Sequence, residues 1–270
     1  MPVYGDEVVV LRAQPLGEAD RILTLFGRER GKVRAVARGV RRTSSKFGAR
    51  LEPFGVVDVQ LFTRDPDERS KLETVTQAVT VHSFANGLVA DYDAYAAASA
   101  MVETVDRIID AEPAPLQWAL LVGALRELSR GERDPRSALD AYLLRALSLA
   151  GWEPSFAECA RCGEPGPHER LSFGAGGAVC PGCAAALGAT RRVDVDTLRH
   201  LWALLAGNRR VADAAPAEVR ERASGVVAGY LDHHLERGLR SMPVVRELRG
   251  AAGPGAVDGA EGGRADTVTP

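Results

Sequence analysis

The chain has 270 residues, 46% apolar and 26% charged, with 34 basic against 36 acidic side chains, which is material for one large globular domain or two modest ones. Its longest apolar helix-like run, around Trp118 to Leu125, falls far short of the roughly 20 residues that span a bilayer. The opening MPVYGDEVVV carries acids where a secretory signal needs cations, and all four cysteines fall in one constellation, leaving none for a disulfide framework. A reducing cytoplasm, without membrane attachment, is the expected setting.

In chain order, the first 80 residues read as short strands. Glu7 to Leu11 is β-rich, and Arg21 to Phe26 alternates apolar and polar before the turn-like GRERG. Lys32 to Ala37 alternates with period two, placing Val33, Ala35 and Ala37 on one face and Lys32, Arg34 and Val36 on the other. Val56 to Phe62 and Leu72 to Val79 alternate likewise. Five short strands punctuated by Gly and Pro predict a small β-barrel, with the OB-fold as its leading candidate. Beyond about residue 83 the texture turns helical. Ala98, Met101, Val102, Val105 and Ile109 recur at helical spacing within Asp91 to Ala111, and Pro113 and Pro115 break that helix. Leu116 to Arg130 and Pro135 to Ala150 predict two more helices, the second stopped by Gly151 and Pro154. Further helices are expected at Val195 to Ala206 and Pro216 to Leu239. The expected architecture is α+β: a five-stranded barrel over residues 1–80, then a helical domain over 81–249 that carries an inserted module at 157–186. The Gly/Ala-rich stretch 250–270, with no periodicity, reads as a disordered tail.

Charge is distributed unevenly. Residues 1–80 hold 14 cations and 11 acids, a net of +3, and the remainder holds 20 and 25, a net of −5. The stretch 28–50 alone holds nine cations (Arg28, Arg30, Lys32, Arg34, Arg38, Arg41, Arg42, Lys46, Arg50) against one acid, Glu29. Like charge so concentrated repels itself until a polyanion relieves it, and nucleic-acid phosphate is the commonest such partner. The competing reading is a solvated strand face, the usual fate of a charge run, but no neighbouring acids balance this one. Lys32, Arg34, Arg38, Arg41, Arg42, Lys46 and Arg50 are therefore the candidate phosphate contacts, on a strand-to-loop surface where an OB-like barrel guides single strands. Phe47, the one aromatic in the run, suits either stacking on a base or plugging the barrel beneath the loop. With aromatics at 6%, binding is expected to be electrostatic and tolerant of sequence. Arg21 is assigned a structural role, paired with Glu18, Asp20 or a barrel acid.

Cys159-x2-Cys162 and Cys180-x2-Cys183, 17 residues apart, have the spacing of a four-thiolate zinc site, one ion per chain. Gly163 and Gly182 are expected in the tight turns of the two knuckles, and Leu171 to Ala178 makes the hairpin of a zinc ribbon. Four thiolates close the tetrahedron, so the metal is structural and His168 is not needed as a ligand. Redox-active or merely buried thiols are the competing reading.

Enzymatic motifs fail on inspection. Gly27-x3-Gly31-Lys32-Val33 is one residue short of a phosphate-binding loop and lacks its Ser or Thr, and neither HExxH nor GxSxG occurs. His233 and His234 point about 100° apart on a helix, poor geometry for one metal. Asp91 and Asp93 read as helix-start acids. The chain is expected not to be an enzyme.

The strings Pro15-Leu16-Gly17-Glu18-Ala19-Asp20-Arg21, Gly31-Lys32-Val33, Ala37-Arg38-Gly39-Val40-Arg41-Arg42 and Phe47-Gly48-Ala49-Arg50-Leu51-Glu52-Pro53-Phe54 together resemble the RecO family of bacterial DNA repair proteins, over about residues 4 to 248. The resemblance implies an OB-fold domain followed by a helical domain, commonly with a zinc-binding insertion. It implies binding of single- and double-stranded DNA, annealing of complementary strands and, with the partner RecR, loading of RecA onto DNA coated by single-stranded-DNA-binding protein. RecF is an optional further partner, and a nucleoid-associated cytoplasmic location follows. The family's helical domain is expected to receive the acidic, Phe-ended tail of single-stranded-DNA-binding protein in an apolar groove flanked by cations. Arg126, Arg130 and Arg133 are candidates for that role, or ordinary solvated arginines. The alternative function is a nucleic-acid-touching structural adaptor in a replication or RNA assembly.

Overall fold

Five strands open the chain in the computed structural model, which describes residues 3–63, 72–235, 239, 241 and 242. They are β1 (Val3–Leu16), β2 (Asp20–Gly27), β3 (Gly31–Ala37), β4 (Gly55–Phe62) and β5 (Glu73–Ser83). They close into a barrel in the order β1-β2-β3-β5-β4, antiparallel except for the short parallel contact of β3 with β5. This is the five-stranded OB-type barrel that the strand pattern predicts. Alternation fills it: Val8, Val10, Leu23, Leu25, Val33, Ala35, Val57, Val59 and Leu61 form one buried core.

Helices follow in the order α1 (Ala85–Val89), α2 (Tyr92–Ile108), α3 (Pro115–Ser129) and α4 (Pro135–Leu149). A small sheet then inserts, with β6 (Arg170–Ser172), β7 (Gly177–Val179) and β8 (Arg191–Arg192) in the order β7-β6-β8, carrying the short α5 (Pro181–Leu187). The chain returns to helix in α6 (Val195–Leu205), α7 (Arg209–Asp213) and α8 (Ala217–His234). Helix starts follow capping chemistry. Asp91 accepts the backbone N–H groups of Asp93 and Ala94, Asp134 that of Ser137, and Asp194 that of Thr197. Pro115 and Pro135 stand in the first turns of α3 and α4, where a missing N–H costs nothing. The helical pattern that runs on to Leu239 breaks earlier than the sequence suggests. Leu235 is extended, yet Leu235 and Leu239 stay buried in the same core, so the apolar spacing outlasts the helix. The tail 250–270 lies outside the described residues.

A second apolar cluster runs through the helices and onto the outside of the barrel. Val9, Leu11, Phe26, Phe54 and Val56 point away from the barrel interior and pack with Leu88, Met101, Leu121 and Leu125. At 25 cal/mol per Å2 each such buried side chain contributes about 1.5–3 kcal/mol, which makes this seam the main tie between barrel and helices. Polar contacts fix its register. The N–H of Lys32 donates to the carbonyl of Asp110 at 2.8 Å, and Gly31 (φ +70°) lies so close to Glu112 and Ala111 that a Cβ there would collide with their backbone.

Candidate nucleic-acid interface and metal centre

The strand β3 and the loop 38–54 divide the basic run into two groups. At the β2–β3 turn, Arg28 lies over the Trp118 ring at 5.5 Å and Arg30 over the Tyr4 ring at 3.8 Å. Lys32 belongs to this end: its Nζ donates to the Asp106 carbonyl at 2.6 Å and lies 3.6 Å from the Asp106 carboxylate, which Arg12 also pairs at 3.0 Å. Its charge is engaged by α2. The seven residues of β3 then carry the chain about 20 Å to the opposite end of the barrel.

The remaining candidates run from the next outward row, that of Arg34, to the loop that begins at that end. Arg34 faces outward from β3, and Arg38, Arg41, Arg42, Lys46 and Arg50 stand exposed on the loop. Among the described residues none of these six has a carboxylate partner, and their hydrogen bonds go to backbone oxygens. Arg41 donates to Gly17 (3.1 Å), Lys46 to Thr76 (2.8 Å), and Arg50 to Lys46 and Phe47 (2.7 and 3.2 Å). The loop is held from below. Val40, Phe47 and Leu51 insert into the barrel core, Gly39 donates its N–H to Asp20, and Arg21 pairs Glu52 at 2.6 Å. Phe47 is 2% exposed, so it is the plug and is not available to a base. Arg21 has the structural role expected of it, with Glu52 as its acid.

The outer face of the barrel extends this surface. Phe26 opposes Lys32 and Val9, and all three lie under or against the helices; one row further along, Thr24 opposes both Arg34 and Arg12, and the next row is Gln14, Ile22 and Val36. Arg12 reaches this face because the β1–β2 register shifts between Val10 and Arg12. A strict period-two reading cannot place it there, and the bulge leaves no mark in the sequence.

The four cysteines converge. Their Sγ atoms all lie within 4.8 Å of one another, with Cys162 and Cys180 at 3.8 Å. Tetrahedral zinc with Zn–S of about 2.3 Å requires S···S edges of about 3.8 Å, so the donor set fits that ion. The first knuckle is a turn: Cys159 N–H donates to Glu164 O, Gly163 N–H to Cys159 O, and Gly163 takes φ +74°. The second differs from expectation, because Cys180 caps α5 and Gly182 lies in its first turn, without the left-handed conformation a tight knuckle would use. The hairpin between the knuckles is β6 and β7, and its Leu171 and Ala178 join the main helical core. Backbone N–H groups, that of Cys180 foremost, bring the Cys159 thiol down to about 6, while the hydrogen-bonding thiols of Cys162 and Cys180 push Cys183 up to about 12. The Cys159 thiolate forms readily while those of Cys180 and Cys183 are opposed; a divalent cation removes that opposition. His168 is buried with Nε2 2.9 Å from the Glu164 carbonyl and is not part of the cluster.

In the helical part, a cavity of about 670 Å3 is lined by Leu116, Leu120, Leu149, Phe156 and Trp202, with Arg145, Glu153 and Glu158 as its charged residues. Leu116 and Trp202 are 68% and 44% exposed. Arg130 and Arg133, two of the three cations weighed for such a groove, instead pair Glu132 and Asp213. Sequence reading passed over Arg145 because its apolar neighbours come from α3, α4 and α6, far apart in the chain. No described helix is long and apolar enough to cross a membrane.

Comparison with known proteins agrees with this architecture. The family model described as Recombination protein O N terminal matches residues 1–84, and that described as Recombination protein O C terminal matches residues 89–243. The chain is 51% identical over 251 residues to the DNA repair protein RecO of Streptomyces coelicolor, covering 92% of this chain and 100% of the relative. It is 50% identical over 250 residues to that of Streptomyces griseus, with the same shares covered. It is 47% identical over 252 residues to that of Cutibacterium acnes, covering 91% of this chain and 99% of the relative.

Proposed function

Because the chain belongs to the RecO family of DNA repair proteins, we propose that it is a non-enzymatic recombination mediator that binds single- and double-stranded DNA and anneals complementary strands. With RecR it helps load RecA onto DNA coated by single-stranded-DNA-binding protein, with RecF as an optional participant. The observation that carries this reading is the group of Arg34, Arg38, Arg41, Arg42, Lys46 and Arg50 on the outer face of β3 and the loop after it, exposed and without carboxylate partners among the described residues. Two complementary strands repel as dense polyanions. A face presenting unpaired cations to both screens that repulsion, and base pairing then drives the reaction without nucleotide hydrolysis. Lys32 takes the bridging role its Asp106 contacts define.

The four-thiolate cluster holds one structural zinc ion, which supplies a cross-link and no chemistry, since a closed tetrahedron offers no open position. The groove around Trp202 and Leu116 receives the Phe-ended tail of single-stranded-DNA-binding protein: apolar walls suit the terminal ring and Arg145 suits its carboxylate, while Glu153, which accepts from Ser148, and Glu158 oppose further acids of the tail. The cytoplasm, at the nucleoid, is the location this role requires. The test is annealing of two complementary labelled oligonucleotides without ATP across a salt series, naked and coated. Fast annealing that fades with salt is expected. Strands that are bound but never annealed would leave only an adaptor.

A further inference from the structure

A cavity of about 350 Å3 lies where the outer face of β1 meets α2, bounded by Gln14, Pro53, Phe54, Tyr95, Ser99 and Asp106. Tyr95 comes from the helical part, is 42% exposed, and stands edge-on against Phe54, with centroids 5.4 Å apart and planes at 86°. At that exposure part of the phenol ring stays open to another flat group. Phe54 holds this position in a left-handed conformation, φ +67°, the one non-glycine residue with positive φ among the described residues. Strain of this kind persists where the surroundings enforce it, and it gathers at binding sites.

Charge inside the cavity selects the kind of group. Arg12 is paired with Asp106, and Glu103 accepts the N–H and hydroxyl of Ser241, so the polar lining is a guanidinium and two acids already engaged, the amide of Gln14 and the hydroxyls of Tyr95 and Ser99. A phosphate is disfavoured there. A neutral, planar, hydrogen-bonding ring is favoured. The cation that would hold its phosphate is at hand: Arg34 shares a cross-strand row with Thr24 and Arg12, about 10 Å away across two strand spacings.

We infer that Tyr95, with Gln14 beside it, forms a stacking pocket for one unpaired nucleobase of a DNA single strand whose phosphates lie on Arg34 and the arginine loop. The inference rests on the DNA-binding reading above and adds to it a means of telling single from double strands. In a duplex the bases are already stacked and cannot enter. The helical part thus supplies an aromatic surface that Phe47, committed to the barrel core, does not.

The experiment compares wild type, Tyr95→Ala and Tyr95→Phe on a labelled thymidine oligomer, an abasic oligomer of equal length and a duplex. Tyr95→Ala is expected to raise Kd for the thymidine oligomer about five-fold or more while Tyr95→Phe leaves it unchanged, since base–aromatic stacking needs the ring and not the hydroxyl. Affinity for the abasic oligomer and the duplex should be the same in all three proteins. A thymidine affinity unaltered by Tyr95→Ala overturns the pocket and leaves the mediator reading standing. Equal losses on all three ligands also overturn it, because Tyr95 would then act through Phe54 on the cationic loop. Wild type that binds none of the three overturns the DNA-binding reading, and the pocket with it.

Discussion

Replacing Arg34, Arg38 and Arg42 together by alanine isolates the electrostatic part of binding. Their guanidinium groups are exposed and have no ion-pair partner among the described residues, so the substitution removes charge without breaking contacts. Exposed positions of this kind change stability by about 0.5 kcal/mol or less each. On a single strand each contacted phosphate contributes about −0.7 to the slope of log K against log salt, so loss of three contacts makes the slope shallower by about 2. The same relation predicts a Kd about 100-fold higher at 0.1 M monovalent salt and about ten-fold higher at 0.3 M, converging towards wild type near 1 M. Fluorescence anisotropy with a labelled oligomer at five salt concentrations reads this directly. Lys32→Ala is the contrast. It breaks the contacts to Asp106, so it should cost about 1–2 kcal/mol of stability by chemical denaturation and leave the slope alone. A triple variant with the wild-type slope, or a Lys32→Ala slope as shallow as the triple, would refute the division of the basic run into a free end and a bridging end.

Native mass spectrometry is expected to find one zinc ion per chain, and Cys180→Ser to abolish it. The cluster beneath the site holds only Cys159, Val179, Cys180 and Ala184 as buried residues, too little to hold the module by itself, so chelation should open residues 157–186 to protease. A metal-free chain with unchanged protease resistance would contradict this. Asp194 caps α6, and although desolvation opposes ionisation, the N–H and hydroxyl of Thr197 and the Arg222 guanidinium bring its carboxyl down to about 2. A carboxyl lowered on folding stabilises above its unfolded value of about 4 and loses that contribution as pH falls through about 2. Asp194→Ala should therefore cost about 1 kcal/mol at pH 7, with the gap to wild type closing between pH 4 and 2 in denaturation curves.

The barrel was legible because its alternation is strict where it matters. In KVRAVA the inward set Val33, Ala35, Ala37 is buried and Arg34 is exposed, as period two requires. The helix starts were legible for a similarly local reason, since Asp91 and the prolines at 115 and 135 act within one turn. The thiolate cluster was legible because each knuckle is a four-residue event. Long-range features were not. Nothing local distinguishes Lys32 from Arg34, although Asp106, 74 positions away, engages one and not the other. Phe47 admitted two readings until the barrel closed over it. The bulge at Leu11 re-aims Arg12, and the groove at Trp202 draws on three helices.

The division of the outer barrel face gives these long-range features one physical cause. The row Val9–Phe26–Lys32 is apolar at its centre and is covered by the helices; the next row, Arg12–Thr24–Arg34, is polar and left open. The helical part therefore fixes where the open face begins, and α2 stands at its border with Asp106 on one side and Tyr95 on the other. A barrel freed of its helices would expose Phe26 and Val9 and leave Lys32 without its anchor. Its cationic face would be wider but no longer bounded by an aromatic edge. A protein that anneals strands, as proposed above for this one, needs that boundary. It must hold unpaired strands firmly enough to bring them together, yet release them once pairing begins, and a screened electrostatic face with shallow base contact releases a duplex more readily than one that grips every base. The seam that gives the fold its stability is on this argument also what limits the grip of the site.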